Sequence, residues 1–476
     1  MNERPLSGVR VLDLTRVLAG PHAARMLLDM GAEVIKVEPP EGDITRTAWP
    51  RVNSISSYFA QQNAGKRCVS IDLGVAAGRE LLLALADKCD VVLENFRPGV
   101  MDRLGVGYDV LRARNPQVIF ASASGYGQTG PWVHRRAYAP VIGAESGFTK
   151  SQGDARGGDY ANDPHSHADV YTALELAAAV LAALFQRERT GRGDRIDVSM
   201  AQTMLYVNEH AHDALWNEPV PDGVIRSFRP MDYPVITAAN GESVIISGHP
   251  AENKTFDFYM VSIGRSELCA DPRFIDTANR LHNLQTIHDV LHEWAATMPS
   301  ADAIEEAMSR NKLAVGRLRS VRDVCDTDWA REREVVAEVP DRGDGTIRIP
   351  NSPWRFDGSN VRASGVPQYR GEENRTVLID LLGMSAEAVD ALKPTAFSPV
   401  DFRSAEDFAH DVELPRRADE GHARRPARGD ARRRVGLRDQ VGRLPDARLR
   451  RQRHRAIAKQ QQPGRDREVP RAAGVR

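Results

Sequence analysis

The sequence predicts an α/β protein with a mostly parallel sheet, followed by a smaller α+β domain. Three observations carry this. Over the first ~125 residues, short apolar strands alternate with amphipathic helical stretches, the pattern of repeated βαβ units. A long Ala-rich stretch before Met200 has helical period and is followed by an alternating run, Arg195 to Met200. Beyond residue 228 comes a hairpin pattern and then a series of helical patterns.

The strand expectations are Val9–Leu14, Glu33–Glu38, Cys68–Leu73, Asp90–Phe96 and Val118–Ser122. The helix expectations between them are Gly20–Met30, with Pro21 near its start, a short Ile55–Gln62, Ala77–Lys88 and Met101–Arg114. After Met200 a helix is expected to about Trp216. Prolines at 219, 221 and 230 then mark a connection. DYPVITAANGESVIIS, residues 232–247, reads as a hairpin with Asn240-Gly241 as a type I′ turn. Helical patterns fill about 251–312, and Glu372 to Leu392 forms a last helical segment. The divisions expected are 1–216, the first part of the large domain; 228–330, the small domain; 331–397, a segment returning to the large domain; and 398–476, a tail.

Composition sets outer limits. With 476 residues, 41% hydrophobic and 27% charged, the chain suits a globular protein of two or three domains. No uninterrupted apolar run reaches the ~18 residues of a membrane span, so no membrane partner is expected. The N-terminus has no signal-peptide layout. Cys68, Cys89, Cys269 and Cys325 form no C-x-x-C pair, which points to a reducing, cytoplasmic setting without a disulfide frame or zinc knuckle. Charge is uneven: residues 401–476 carry 20 Arg, one Lys and 12 acids, a net of about +9, against about −10 for the rest. This tail lacks apolar period. It reads either as a disordered basic arm for nucleic acid or as GC-rich coding sequence translated out of frame; its poverty in Lys and aromatics favours the second.

Ligands of parallel α/β sheets bind beyond the carboxyl ends of the strands. Those ends carry residues 15–21, residues 94–99 and Gly125-Tyr126-Gly127. Several cations lie close by: Arg16, Lys36, Lys66, Arg97, Arg103 and Arg136. Singly each reads as a solvated charge; together they could pair with a phosphorylated ligand. Asp169 directly precedes the apolar helix that carries Leu174, Ala177, Ala178, Leu181 and Leu184. There it is either an N-cap or an ionised nucleophile favoured by the helix terminus. Gly125 to Gly130 spells G-x-G-x-x-G, but Pro131-Trp132 follows instead of a helix, which argues against a dinucleotide fingerprint. Gly65-Lys66-Arg67 is no P-loop, and neither H-E-x-x-H nor G-x-S-x-G occurs. His165 and His167 form an isolated pair on a loop, weak support for a metal, and no metal site is assigned.

Taken together, the stretches PLSGVRVLDLTRVLAGP, GAEVIKVEPPEGDITR, NAGKRCVSIDL, VVLENFRPGVMDRLG, SGYGQTGP and HADVYTALELAAAVLAALFQRERTGRGDRIDVSM, with DPRFIDTANRLHN and PNSPWRF later, resemble the class III coenzyme A transferases. That family includes formyl-CoA and carnitine CoA-transferases and is related to α-methylacyl-CoA racemase. The resemblance covers about residues 5–395. It implies a Rossmann-like large domain closed by the C-terminal segment, and an interlocked homodimer of ring-like chains. It implies transfer of CoA from an acyl-CoA to a carboxylic acid through an aspartyl anhydride and an aspartyl-CoA thioester, with Asp169 as nucleophile. CoA contacts are implied at Val17, Ala19, Asn95, Phe96, Arg97, Arg103, Arg136 and Tyr138. CoA is then a substrate, and no tightly bound cofactor is implied.

Two departures weigh against oxalate or formate as the substrate. Leu18 stands where formyl-CoA transferase has Gln, and Ser247-Gly248-His249 stands in place of a glycine-rich loop. The rival readings are a racemase of the same family and a nucleic-acid-binding protein using the tail. The racemase needs a second acid/base group, and Tyr138 occupies the place of its His. Tyrosine ordinarily titrates near 10, far from His at ~6.5, so it is a poor proton shuttle at neutral pH.

Overall fold

The computed structural model describes residues 4–221, 224 and 230–396. The tail from residue 398, with both readings of it, lies outside these residues. Six parallel strands form the central sheet: β1 (Arg10–Asp13), β2 (Glu33–Glu38), β3 (Arg67–Ser70), β4 (Val91–Glu94), β5 (Ile119–Ser124) and β6 (Arg195–Ser199). Their spatial order is β3-β2-β1-β4-β5-β6, the doubly wound order, with its switch point between β1 and β4. Both faces are covered. Leu12, Leu14, Ile35, Val69 and Phe120 pack on one side with the helices Ala76–Ala86 and Asn374–Leu382. Val11, Val34, Leu93 and Ala121 pack on the other with the helices Ala19–Asp29 and His167–Thr190. The alternation of Val11 and Leu12 between two dry cores is why these strands are apolar on both sides.

The segment 331–396 returns to the large sheet. Asn374 Oδ1 accepts the Ser70 N–H at 2.8 Å, and the helix Ala386–Ala396 lies against Ala76–Ala86. Between 235 and 317 a second core gathers Ile236, Val244, Phe256, Tyr259, Leu291 and Ile304 around a three-stranded antiparallel sheet.

Several local expectations change. The expected helix 101–114 is two, Val100–Arg103 and Tyr108–Arg114. Gly105 (φ +73°) enters the left-handed region, and the Val106 N–H closes back on the Met101 carbonyl. Gly383 (φ +64°) divides the last helical segment in the same way. The helix after Met200 stops at Tyr206 and resumes as Ala211–Leu215. In the hairpin only Gly241 takes positive φ, and its N–H bonds the Ala238 carbonyl. The turn is therefore a type I turn with a glycine bulge, not type I′. A third strand, Ala314–Arg317, and a further hairpin, Val336–Pro340 with Thr346–Pro350, had no sequence signal strong enough to expect them.

The long helix also differs in phase. Its buried stripe is Thr172, Ala173, Leu176, Ala177, Val180, Ala183 and Leu184, while Leu174 and Ala178 face outward. By length and mean hydropathy His167–Thr190 could cross a membrane, contrary to the reading of the uninterrupted runs. In the structure its buried stripe packs on the sheet. Such a core helix passes the same length and hydropathy test as a membrane span.

Candidate active site

The carboxyl end of β1 runs into Thr15–Leu18 and then into the helix Ala19–Asp29. The carboxyl end of β4 runs into Asn95–Gly99 across the switch-point crevice. Asn95 joins the two: its Oδ1 accepts the Arg16 N–H at 2.8 Å and its Nδ2 donates to the Arg16 carbonyl at 2.8 Å. Below the loop sit two lysines with fully buried side chains. Lys36 Nζ donates to the Thr15 carbonyl at 2.9 Å and pairs with Asp43 at 3.3 Å. Lys66 Nζ donates to Asp13 Oδ2 at 2.8 Å, and to the Pro21 carbonyl and Asn63 Oδ1 at 2.9 Å each. Asp13 in turn accepts from the Thr15 N–H and hydroxyl.

This corrects the reading of Lys36 and Lys66 as ligand-facing cations. They are spent inside the fold, because a buried carboxylate needs a buried cation beside it. Burial works against ionising Asp13, but the flanking Lys66 and Lys36 hold its carboxyl below the usual range.

The loop is held under strain. Val17 adopts φ +70°, a region that costs a β-branched residue about 1–3 kcal/mol. Its N–H is directed at the Asp43 carboxylate, 3.2 Å from Oδ2. A Cβ on Gly20 would collide with the Thr15 side chain, so the first turn of the helix needs glycine there.

Asp169 is the third residue of the long helix and not its N-cap, a position that Ser166 occupies. The cap reading is therefore set aside. The helices Ala19–Asp29 and His167–Thr190 pack together, and the backbone N–H groups of Ala19 and of Asp169 itself are directed at the carboxylate. Burial nevertheless dominates and pushes the Asp169 carboxyl up to about 6, with those two N–H groups pulling the other way. A half-buried carboxylate thus sits where two helix N-termini meet.

Tyr58, on the helix Ser57–Asn63, had been read only as part of a short helix. Its phenol is pushed up by burial and then by the negative charges of Asp169 and Asp43, which places it on the same site. No local pattern marks it.

The remaining expected contacts fall as follows. Phe96 packs partly buried against the core, and its N–H donates to Glu94 Oε2 at 2.9 Å. Arg97 and Arg103 are exposed, with the Arg103 guanidinium folded over Gly99. Ala19 is buried at the helix start. Arg136 is exposed, and Tyr138, 70% exposed, occupies the N-cap position of the helix Ala139–Glu145. That helix packs through Ala139 and Ile142 on Ala168, the neighbour of Asp169.

The Gly125–Gly130 stretch is a turn, with the Gly127 N–H on Ser124 Oγ and the Gln128 N–H on Asp197, and no helix opens before Ala139. His167 pairs with Asp163 and stacks on Tyr171. Among the described residues no group of three His, Cys, Asp or Glu is placed to hold a metal ion. Leu18 is buried at the helix start, and His249 is buried with its Nδ1 accepting the Ala251 N–H at 3.1 Å.

A doubly wound sheet thus carries a half-buried carboxylate where two helix starts meet, with arginine-bearing loops at its switch point. The chain belongs to CoA-transferase family III, which it matches over residues 6–374, and is a CoA-transferase. It is 31% identical over 415 residues to a formyl-CoA:oxalate CoA-transferase of Streptomyces coelicolor, covering 83% of this chain and 99% of that protein. It is 35% identical over 392 residues to a probable fatty acyl-CoA transferase of Mycobacterium tuberculosis, covering 79% and 98%. The crystal structure of an aspartate-to-alanine variant of that mycobacterial protein superposes with a TM-score of 0.68 at 33% identity, covering 79% of this chain and 98% of that one.

Proposed function

We propose that this chain moves CoA from an acyl-CoA donor to a carboxylic acid acceptor through covalent intermediates on Asp169. The observation that carries the reading is the Asp169 carboxylate, half-buried and facing the Ala19 N–H at the start of a second helix. Asp169 attacks the thioester carbonyl of the donor, forming an aspartyl–acyl anhydride and expelling CoA thiolate. The thiolate attacks the aspartyl carbonyl, giving an aspartyl-CoA thioester and releasing the donor acid. The acceptor carboxylate attacks that thioester to form a second anhydride and CoA thiolate. Thiolate attack on the acceptor carbonyl gives the new acyl-CoA and restores Asp169. Each tetrahedral oxyanion forms beside the Ala19 N–H, a donor fixed before the reaction.

Thioester is exchanged for thioester, so no nucleotide is consumed and CoA acts as substrate with no tightly held cofactor. Val17, Ala19, Asn95, Phe96, Arg97, Arg103, Arg136 and Tyr138 line the CoA path in this reading. Arg97, Arg103 and Arg136 are the exposed cations left for phosphates. The four cysteines are free, which supports a cytoplasmic setting.

The pH profile tests the nucleophile. Only the carboxylate attacks, and burial raises its pKa to about 6. The acid limb of kcat/KM therefore lies near pH 6 and falls about tenfold per pH unit below it. A limb near 4, where an unperturbed Asp titrates, would count against Asp169.

The working form in this reading is a homodimer of interlocked chains. The outward Leu174 (42% exposed) and Phe185 (67% exposed) leave an apolar face uncovered on the single chain. Dilution in the analytical ultracentrifuge should yield no folded monomer, because threaded chains separate only by unfolding. A reversible native monomer–dimer equilibrium would overturn the interlocked arrangement.

A further inference from the structure

The helix Ala19–Asp29 packs along one side on the short helix Ser57–Asn63. Three contacts follow one another along that seam. Lys66 Nζ donates to the Pro21 carbonyl at 2.9 Å, His22 Nδ1 donates to Gln62 Oε1 at 2.8 Å, and the Arg25 guanidinium donates to the Gln61 carbonyl. An amide oxygen can only accept, so Nδ1 of His22 must carry a proton.

The first and third contacts belong to charges that also serve ion pairs: Lys66 neutralises Asp13, and Arg25 pairs with Asp29. The middle one is a directional bond between an imidazole and an amide, and Gln62 is only 2% exposed. Two apolar side chains of the same shape would stabilise the seam about as well. They would not fix the angle and register of the two helices as a buried hydrogen bond does.

That register bears on the site. His22 stands three residues beyond Ala19, and its own N–H closes the turn on the Leu18 carbonyl at 2.8 Å. The Ala19 N–H in that turn is directed at the Asp169 carboxylate. Gln62 stands four residues beyond Tyr58, on the same face of its helix. Tyr58 lies near enough to Asp169 for its phenol to feel that charge. The His22–Gln62 bond therefore joins, about one turn below each, an N–H and a phenol that approach Asp169 from separate helices.

We propose that His22 and Gln62 are a positioning pair for CoA transfer, holding the Ala19 N–H and the Tyr58 phenol in one arrangement about the Asp169 carboxylate. Both act through the groups they hold and not on the reacting atoms. The proposal rests on the reading of Asp169 as the nucleophile and of the Ala19 N–H as its oxyanion donor.

The test is exchange of deuterated acetate into acetyl-CoA by the full chain, a probe pair in which donor and acceptor are chemically alike. The variants are His22→Leu, His22→Asn, Gln62→Met, the double variant His22→Leu with Gln62→Met, and Asp169→Ala. Leu keeps the branched shape but puts a methyl where Nδ1 stands. Asn keeps a donor, because its Nδ2 lies as many bonds from the backbone as Nδ1 of His.

His22→Leu should lower kcat about tenfold, since a displaced donor loses part of its hold on the transition state. Its Kd for free CoA, read by calorimetry, should match wild type. His22→Asn should recover most of the loss in kcat. The double variant strands no buried acceptor, so it should unfold at the wild-type urea midpoint yet stay as slow as His22→Leu alone. Wild-type kcat in the double variant, or losses of kcat that follow the urea midpoint across the series, would make the pair purely structural and overturn the proposal. A His22→Asn as slow as His22→Leu would do the same. Exchange surviving in Asp169→Ala would instead remove the nucleophile reading, and the proposal with it.

Discussion

Asp169→Ala should abolish CoA transfer, by about 10⁴-fold or more, while leaving a folded protein that still binds CoA. In the proposed mechanism Asp169 is the group that takes up the acyl chain. The two N–H groups directed at the carboxylate would remain, but with nothing to attack the thioester. In wild type given an acyl-CoA, hydroxylamine should trap a hydroxamate on Asp169 alone. If α-deuterium instead washes into a 2-methylacyl-CoA with no label on Asp169 and no acceptor acid required, the racemase chemistry holds.

The same substitution has a stability signature. Asp169 carries a folded-state pKa raised from 3.8 to about 6. The folded protein therefore binds more protons than the unfolded chain between these values. The favourable contribution of the neutral acid is complete below pH 4 and is lost as pH rises through 6. At pH 8 Asp169→Ala should be more stable than wild type by about 2 kcal/mol, a difference that closes at pH 4. A variant less stable at pH 8 would mean that the carboxylate holds the two helix starts together.

Lys66→Met should give the largest loss of stability of any single change near the site, about 3–5 kcal/mol. Lys66 and Asp13 are both wholly buried and 2.8 Å apart. Removing the cation leaves Asp13 charged in the core and frees the Pro21 carbonyl and Asn63 Oδ1. Because Pro21 lies in the first turn that begins at Ala19, activity should fall with stability. The double variant Lys66→Met with Asp13→Asn should recover part of the loss, since the stranded charge is then gone. A single variant that unfolds at the wild-type urea midpoint would show that the pair contributes nothing.

Much of the large domain was legible locally. Glu33–Glu38 was expected as a strand and is one residue for residue, and the start of the Ala-rich helix beside Asp169 was in place. These readings succeed because periodicity and glycine placement act within a few residues. Where the local signal was flat they fail. In a helix of Ala and Leu all round, nothing in the sequence sets the phase, and the stripe that met the sheet left Leu174 outside. A lone glycine such as Gly105 is compatible with a continuous helix until its neighbours close the Schellman bond.

The sequence by itself determined the α/β class, the βαβ alternation, the position of Asp169 at a helix start and the set of cations near the strand ends. These are properties of residue type and short spacing. Only the tertiary structure decided which of those cations remain for a ligand. Lys36 and Lys66 turn inward to carboxylates that lie 7 and 53 residues away in the chain, and Arg97, Arg103 and Arg136 stay exposed. It likewise decided that Ala19 and Tyr58 meet Asp169 from more than a hundred residues away. The strand order β3-β2-β1-β4-β5-β6 creates these meetings. That order depends on which apolar faces pack together across the whole chain, and no local pattern encodes it.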